Sequence, residues 1–336
     1  MNITILSTGS RGDTQPYVAL GQGLAAAGVA VRVAASETFA DFVREHGLAF
    51  QALPGDIARL VQSNEAVAAM KADNPFKFFR SFRRLMANED LRRLMDETQR
   101  EFFAACEGAD AVVYHPGASV AYFMAKRLQI PGILASPFPM TPTRAYPALI
   151  FYDKLRLGGA VNALTHHLFE RGFWLANRAP AKTFWRRRFG RLPAGFGNPY
   201  GAQRRSGQPV IISCSQYVFP TEDNWPKNVR HTGYWFLEEP AAWQPPAALE
   251  AFLAQGPPPV YVGFGSIGDP AVRAQTTAIV VAALRRSGQR GVLATGWQGM
   301  SGETELGEDL FVLAHAPHSW LFPRMTAVVH HGGAGT

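Results

Sequence analysis

Short apolar runs recur along the chain, each followed by a turn containing glycine, serine or proline and then by apolar residues at helical spacing. Residues 2–6 open the series, followed by a loop over 7–15 and a helix over about 16–27 that ends at Gly28. Strand, glycine-containing turn and helix form the opening unit of a Rossmann-like layer. Residues 30–35 and 48–53 repeat the strand pattern around a helix through Phe39, Phe42 and Val43. Residues 110–114 and 132–136 flank a helix over about 118–128, and 209–213 and 229–235 close the series. Apolar strands alternating with helices predict a parallel α/β sheet.

The pattern breaks once and restarts. Pro240, Pro245, Pro246 and the prolines of 257–259 bracket a short helix, which is linker composition. Beyond it, strands at 260–264, 292–295, 311–313 and 327–329 surround a helix over 270–286. The expected organisation is a Rossmann-like domain over 1–238, a proline-rich linker over 239–258, and a second Rossmann-like domain over 259–336.

Composition narrows the class without changing this picture. The chain has 336 residues, 47% apolar and 18% charged, enough for two ordinary globular cores. Cys106 and Cys214 are the only cysteines, too few for a disulfide framework, and are expected as buried thiols in a reducing compartment. No apolar run approaches the ~20 residues of a membrane span, and no secretory leader pattern opens the chain, so a cytoplasmic placement is expected.

The net charge of +7 has two local sources. Residues 182–191 carry Lys182, Arg186, Arg187, Arg188 and Arg191 without an acid. Residues 76–93 carry Lys77, Arg80, Arg83, Arg84, Arg92 and Arg93, with Phe79, Phe82 and Met86 on another helical face. That basic amphipathic stretch reads either as a surface helix or as a peripheral contact with the inner face of a membrane. No nucleic-acid-binding motif accompanies the charge.

The most specific chemistry lies at the end. Residues 327–329 run directly into His330, His331, Gly332, Gly333, Ala334, Gly335 and Thr336. A glycine-rich turn after a buried strand lets backbone N–H groups approach an anion, and a following helix would add its positive dipole end. This is diphosphate-binding chemistry. No GxxxxGK[ST] lysine and no opening GxGxxG is present, so neither an ATPase nor a nicotinamide enzyme is favoured.

The segment APHSWLFPRMTAVVHHGGAGT closely resembles the donor-sugar signature of family 1 glycosyltransferases. The resemblance is to the bacterial and fungal branch that includes sterol glucosyltransferases and glycopeptide-antibiotic glycosyltransferases. ITILSTGSRGDTQPYVALGQGLAAAG resembles the N-terminal acceptor motif of the same branch, and VYVGFGS and ATGW add support between the two. The resemblance implies the GT-B fold, two Rossmann-like domains facing a cleft. It also implies inverting transfer of a hexose, by default glucose, from a UDP-sugar to a hydroxyl of an apolar acceptor such as a sterol, another lipid or a natural-product aglycone.

Such transfer needs a base for the acceptor hydroxyl and stabilisation of the departing diphosphate. Asp13 of SRGD matches the branch's acceptor-activating aspartate and lies in the expected loop after the first strand; helix capping is its alternative role. His115, at another strand end, is the second candidate base. Ser10, Arg11, Gly12, Pro137 and Phe138 belong to loops expected to line the acceptor cleft. The aromatic stretch 146–191 is expected to shape the acceptor pocket or to pack the core.

On the donor side, His331 matches the family's phosphate-contacting histidine. Gly332, Gly333, Gly335 and Thr336 offer amides and a hydroxyl to the phosphates, and Ser266 offers another donor. His315 and Ala316 match uracil-contacting positions; His318 is a candidate base contact or a turn residue. No metal or other cofactor is expected: the sequence has no DxD, and adjacent His330 and His331 on a strand point to opposite faces. Gly332 stands where some glycopeptide enzymes carry an aspartate, whereas sterol glucosyltransferases have glycine.

A doubly wound domain ordinarily continues past its phosphate turn by roughly 70 to 90 residues. The expectation is therefore a second domain incomplete at Thr336, with the acidic-glutamine pair that selects the sugar lying beyond it. Two other functions remain open: a fragment that binds a lipid or small molecule without transfer, and a UDP-sugar epimerase.

Overall fold

The computed structural model describes residues 1–54, 89–151, 158–221, 225–237, 243–264, 270–294, 307–314, 316–330 and 332. The chain forms two compact units, Met1–Glu238 and Glu239–Thr336.

In the first unit the strands are β1 (Asn2–Leu6), β2 (Ala30–Ser36), β3 (Ala49–Leu53), β4 (Ala111–Tyr114), β5 (Gly132–Ser136), β6 (Val210–Ile212) and β7 (Val229–His231). They form one parallel sheet in the order β3-β2-β1-β4-β5-β6-β7. The helices are α1 (Arg11–Ala26), α2 (Ala40–Glu45), α3 (Glu89–Cys106), α4 (Ala121–Leu128), α5 (Gly159–Phe189) and α6 (Pro199–Arg205).

Alternation along the strands explains why both faces are buried. Ile3 and Ile5 of β1, with Val31, Val33 and Val113, pack on Tyr17 and Val18 of α1 and Phe42 of α2. Leu6, Val112, Tyr114 and Leu134 pack on the other face against Phe102 and Phe103 of α3, Phe123 of α4 and Trp185 of α5. Two polar groups inside this core are paired across elements. Thr4 Oγ1 donates to Ala105 O at 2.9 Å, and Tyr17 Oη donates to Ala135 O at 2.6 Å, tying α1 to β5.

Winding reverses between β1 and β4, so the crevice beyond their carboxyl ends is where an open α/β sheet binds ligands. The 3-10 turn Pro116–Ala118 follows β4 there.

The second unit holds β8 (Val260–Gly263), β9 (Gly291–Ala294), β10 (Leu310–Leu313) and β11 (Ala327–His330), parallel in the order β10-β9-β8-β11. Helix α7 (Ala247–Ala254), from the proline-rich stretch, packs Leu249 and Phe252 with Tyr261, Val292, Leu313 and Leu321 of α9 (His318–Leu321). Helix α8 (Pro270–Ser287) covers the opposite face through Val281 and Leu284.

Two expectations change. Helix α1 starts at Arg11, not near Pro16, so Asp13 sits in its first turn and not in a loop; the Asp13 carboxylate takes up the Ser10 N–H at 2.7 Å, a capping bond that starts the helix early. Strand β11 is exposed along its length, with Val328 and Val329 at 36% and 44%, although a buried strand was expected. It is the edge of its sheet, and no described helix covers those two valines.

Cys106 and Cys214 are free and buried, and burial pushes their thiols up to about 12 and about 11. That leaves them protonated and unreactive near neutrality. The candidate membrane stretch lies in residues 55–88, outside the described residues, except for its last positions at the start of α3. Of the aromatic stretch, Phe169, Trp174, Phe184 and Trp185 are core residues.

Candidate active site

The carboxyl ends of β1 and β4 bring Asp13 and His115 together. Strand β1 delivers Ser7, Thr8 and Gly9 to the crevice, and the first turn of α1 presents the Asp13 carboxylate. Its two oxygens are differently occupied. Oδ2 accepts from Ser10 N at 2.7 Å and from Ser10 Oγ at 2.9 Å, whereas Oδ1 faces His115 Nε2 at 3.6 Å. The Asp13 side chain is 30% exposed, so a solute can reach it.

The His115 ring is fixed from the opposite side. Gly117 N–H donates to Nδ1 at 3.0 Å, and Thr8 Oγ1 lies 2.9 Å from the same nitrogen. A backbone N–H can only donate, so Nδ1 is an acceptor and the neutral ring carries its proton on Nε2, pointing at Asp13. Burial drives the His115 pKa down to about 4 despite the opposing pull of Asp13, which keeps the ring neutral near pH 7. Tyr17 and Phe138 meet the ring edge-on, with centroids at 5.9 and 6.5 Å.

Two glycines make this approach possible. Gly9 has φ +118, and a Cβ there would lie 2.3 Å from Asp13 Oδ2. A Cβ on Gly117 would lie 2.3 Å from Thr8 Oγ1 and 3.1 Å from His115 Nδ1. Thr8, Gly9 and Gly117 were not singled out from the sequence; the first two sit inside the SRGD-containing motif, and Gly117 follows His115 by two positions.

The remaining acceptor-side residues divide. Ser10 donates its N–H and hydroxyl to Asp13 Oδ2, Gly12 is exposed beside it, and Phe138 links the site to α5 through Phe169 at 6.1 Å. Pro137, half-buried, precedes Phe138 beyond β5. Arg11 turns back along α1, with Nε donating to Gln15 Oε1 at 3.1 Å and its guanidinium 4.4 Å above the Phe42 ring.

Of the donor-side candidates, Ser266, His315, His331, Gly333, Gly335 and Thr336 lie outside the described residues. Ala316 is buried in the core of the second unit. His318 stacks on Phe322 with centroids 4.4 Å apart, and its Nε2 lies 3.5 Å from Tyr261 Oη. Gly332 has φ +79 and follows β11, a conformation that glycine adopts without strain where the chain turns off a strand.

A domain model described as the glycosyltransferase family 28 N-terminal domain matches residues 3–147, the segment that contains this Asp13–His115 crevice. Residues 3–147 are thus similar to a glycosyltransferase N-terminal domain. The chain is also 35% identical over 350 residues to a sterol 3-beta-glucosyltransferase of Leptosphaeria maculans, and 35% identical over 347 residues to one of Candida albicans. Both alignments take in 100% of this chain but only 23% and 22% of those proteins, and the chain spans about a quarter of the length of the curated relatives it matches.

Solved glycosyltransferases share the fold. SsfS6 of Streptomyces sp. SF2575 with thymidine diphosphate aligns at TM-score 0.61 and 20% identity, covering 100% of this chain and 77% of that one. SnogD of Streptomyces nogalater aligns at TM-score 0.60 and 20% identity, covering 100% and 78%. The GT-B architecture expected of this chain is thus the architecture of its structural neighbours, and sterol 3-beta-glucosyltransferases are the curated relatives its sequence resembles.

Proposed function

We propose that the chain is the transferase portion of a metal-independent, inverting glycosyltransferase that moves a hexose from a UDP-sugar to the hydroxyl of a sterol or similar apolar acceptor. The observation that carries this reading is the Asp13–His115 arrangement inside a glycosyltransferase N-terminal domain. Asp13 Oδ1, the oxygen not engaged by Ser10, takes the acceptor proton as the hydroxyl oxygen attacks the anomeric carbon from the face opposite the diphosphate. His115 is a positioning residue: its Nε2–H faces Oδ1 while Gly117 and Thr8 hold the ring.

The sterol glucosyltransferase relatives support glucose and a sterol as first choices for donor and acceptor. A diphosphate partner is supported by a structural neighbour solved with thymidine diphosphate. His331 and the glycine turn would hold the phosphates in place of a metal ion, and a cytoplasmic location fits the reduced cysteines. Calorimetric titration of the 336-residue chain with UDP, with GDP as control, followed by a transfer assay with UDP-glucose and ergosterol or cholesterol, tests the proposal. Selective UDP binding with glucoside formation is expected. UDP-sugar consumption without an acceptor would instead indicate an epimerase, and acceptor binding with no UDP release a binding fragment.

A further inference from the structure

Helix α5 is two-sided. Phe169, Trp174, Phe184 and Trp185 turn into the core of the first unit, whereas Leu164, Leu168 and Leu175 turn outward and are 54%, 52% and 54% exposed. Spacings of four and eleven residues put the three leucines on one line along the helix. They span about 16 Å at the rise of an α-helix. Arg171, Arg178 and Arg186 are exposed on the same side, and Lys182 is partly exposed there. Glu170 is the helix's single acid, fully buried and paired with Arg204. The outer face is therefore apolar along its centre, cationic around it, and free of negative charge.

This chemistry selects the occupant. A second copy docked through the same face would set its cations against these cations, because a two-fold contact is self-complementary. Nucleic acid would meet leucines where stacking aromatics are needed. An anionic lipid surface satisfies both features, taking leucines at the acyl boundary while Arg and Lys stems lift their charges to the phosphates. Among the described residues no helix is long and apolar enough to cross a membrane, so α5 would lie on the surface.

We propose that the outer face of α5 rests on an anionic phospholipid membrane. The placement is independent of the transfer reading but fits it: on its inner side α5 sets Phe169 against Phe138, which borders His115. An acceptor leaving the lipid would then be one helix away from Asp13.

Flotation of the 336-residue chain with vesicles tests this, using equal parts phosphatidylcholine and phosphatidylglycerol against pure phosphatidylcholine. The expected result is co-flotation with the anionic vesicles, weakened by salt. Leu164→Ser/Leu168→Ser/Leu175→Ser should abolish it. Arg171→Gln/Arg178→Gln/Lys182→Gln should lower the partition coefficient by roughly 100-fold, the scale of three cations at an anionic surface. Both variants alter outward-facing positions, and circular dichroism confirms that each is folded. Unchanged flotation of either folded variant overturns the proposal, as does equal binding to neutral vesicles. Loss of flotation only on neutralising Lys77, Arg80, Arg83 and Arg84 assigns the contact to that stretch and likewise overturns it. A concentration-dependent dimer in sedimentation velocity, removed by the leucine variant and without vesicle binding, makes the face an interface between copies instead.

Discussion

Asp13 Oδ1 and His115 Nε2 face each other at 3.6 Å across the switch point of the first sheet, one carried by the first turn of α1 and the other by the end of β4. The distance exceeds a hydrogen bond, yet the ring cannot turn away without losing Gly117 N–H and Thr8 Oγ1 from Nδ1. The pair is held from its two outer sides and left open between.

Asp13→Asn is therefore expected to reduce turnover by ~100-fold or more, the scale of a lost general base, with UDP affinity unchanged. The amide keeps the size of the carboxylate, and its oxygen can still accept from Ser10. Steady-state transfer rates with calorimetric UDP binding check this; wild-type turnover would remove Asp13 from the role.

Gly9→Ala should impair turnover through Asp13 without touching the reacting atoms. The added methyl would stand 2.3 Å from Oδ2, at a φ of +118 that side chains rarely adopt. The carboxylate must shift or the loop must rearrange, and a misplacement of about 1 Å costs on the order of 100-fold. The expected result is a loss in kcat larger than the change in thermal midpoint. A variant with normal kcat would show that the loop tolerates the shift.

How far the sequence carried the site follows from what each residue's role depends on. β1, the α1 region and β4 were legible because burial on both sheet faces requires unbroken apolar runs, and Asp13 and His115 were marked by lying beside strand ends. The start of α1 was legible only in part: helix capping was an open role for Asp13, but the Asp13 side chain reaches back to Ser10 N–H from inside the first turn, which starts the helix at Arg11. Gly9 and Gly117 escaped for a similar reason: their value is the absence of a Cβ beside a partner distant in space or at an unusual φ. The exposure of Val328 and Val329 was also hidden, since apolar composition says that a strand can be buried and not whether anything covers it.

Stability should fall as acid is added, partly through His115. Its folded pKa of about 4 lies below the ordinary value of 6.5, so between these pH values the unfolded chain binds more protons than the folded one. Stability then rises with pH across that window and is lost as pH drops through it. His115→Gln should flatten this limb in urea unfolding curves taken from pH 4 to 7. A residual slope is expected from His166, whose pKa burial also lowers. An unchanged slope would mean that His115 titrates normally in the fold.

Arg204 and Glu170 form a buried ion pair that fastens α6 to α5. Asn198 Nδ2 donates to the other Glu170 oxygen at 3.2 Å and Asn198 Oδ1 caps the first turn of α6. Arg204→Met should destabilise the first unit by about 3–5 kcal/mol, because it leaves a carboxylate buried without its cation. Arg204→Met/Glu170→Gln should recover much of the loss. Tryptophan fluorescence during urea unfolding reads both. Equal losses in the single and double variants would show that packing, not charge, dominates at this position.

His331→Ala is expected to weaken UDP binding and transfer together, which separates it from Asp13→Asn. A histidine that donates to the phosphates is engaged before and during transfer, so its loss raises the dissociation constant for UDP as well as the barrier. Removing one such donor should cost on the order of 100-fold in turnover. The acceptor side supplies the control: affinity for a sterol in the absence of UDP should stay at its wild-type value. Weakened UDP binding with intact sterol binding would place the nucleotide at the turn after β11. Normal UDP affinity would move the phosphate contacts elsewhere and leave Gly332's left-handed turn as a purely structural exit from that strand.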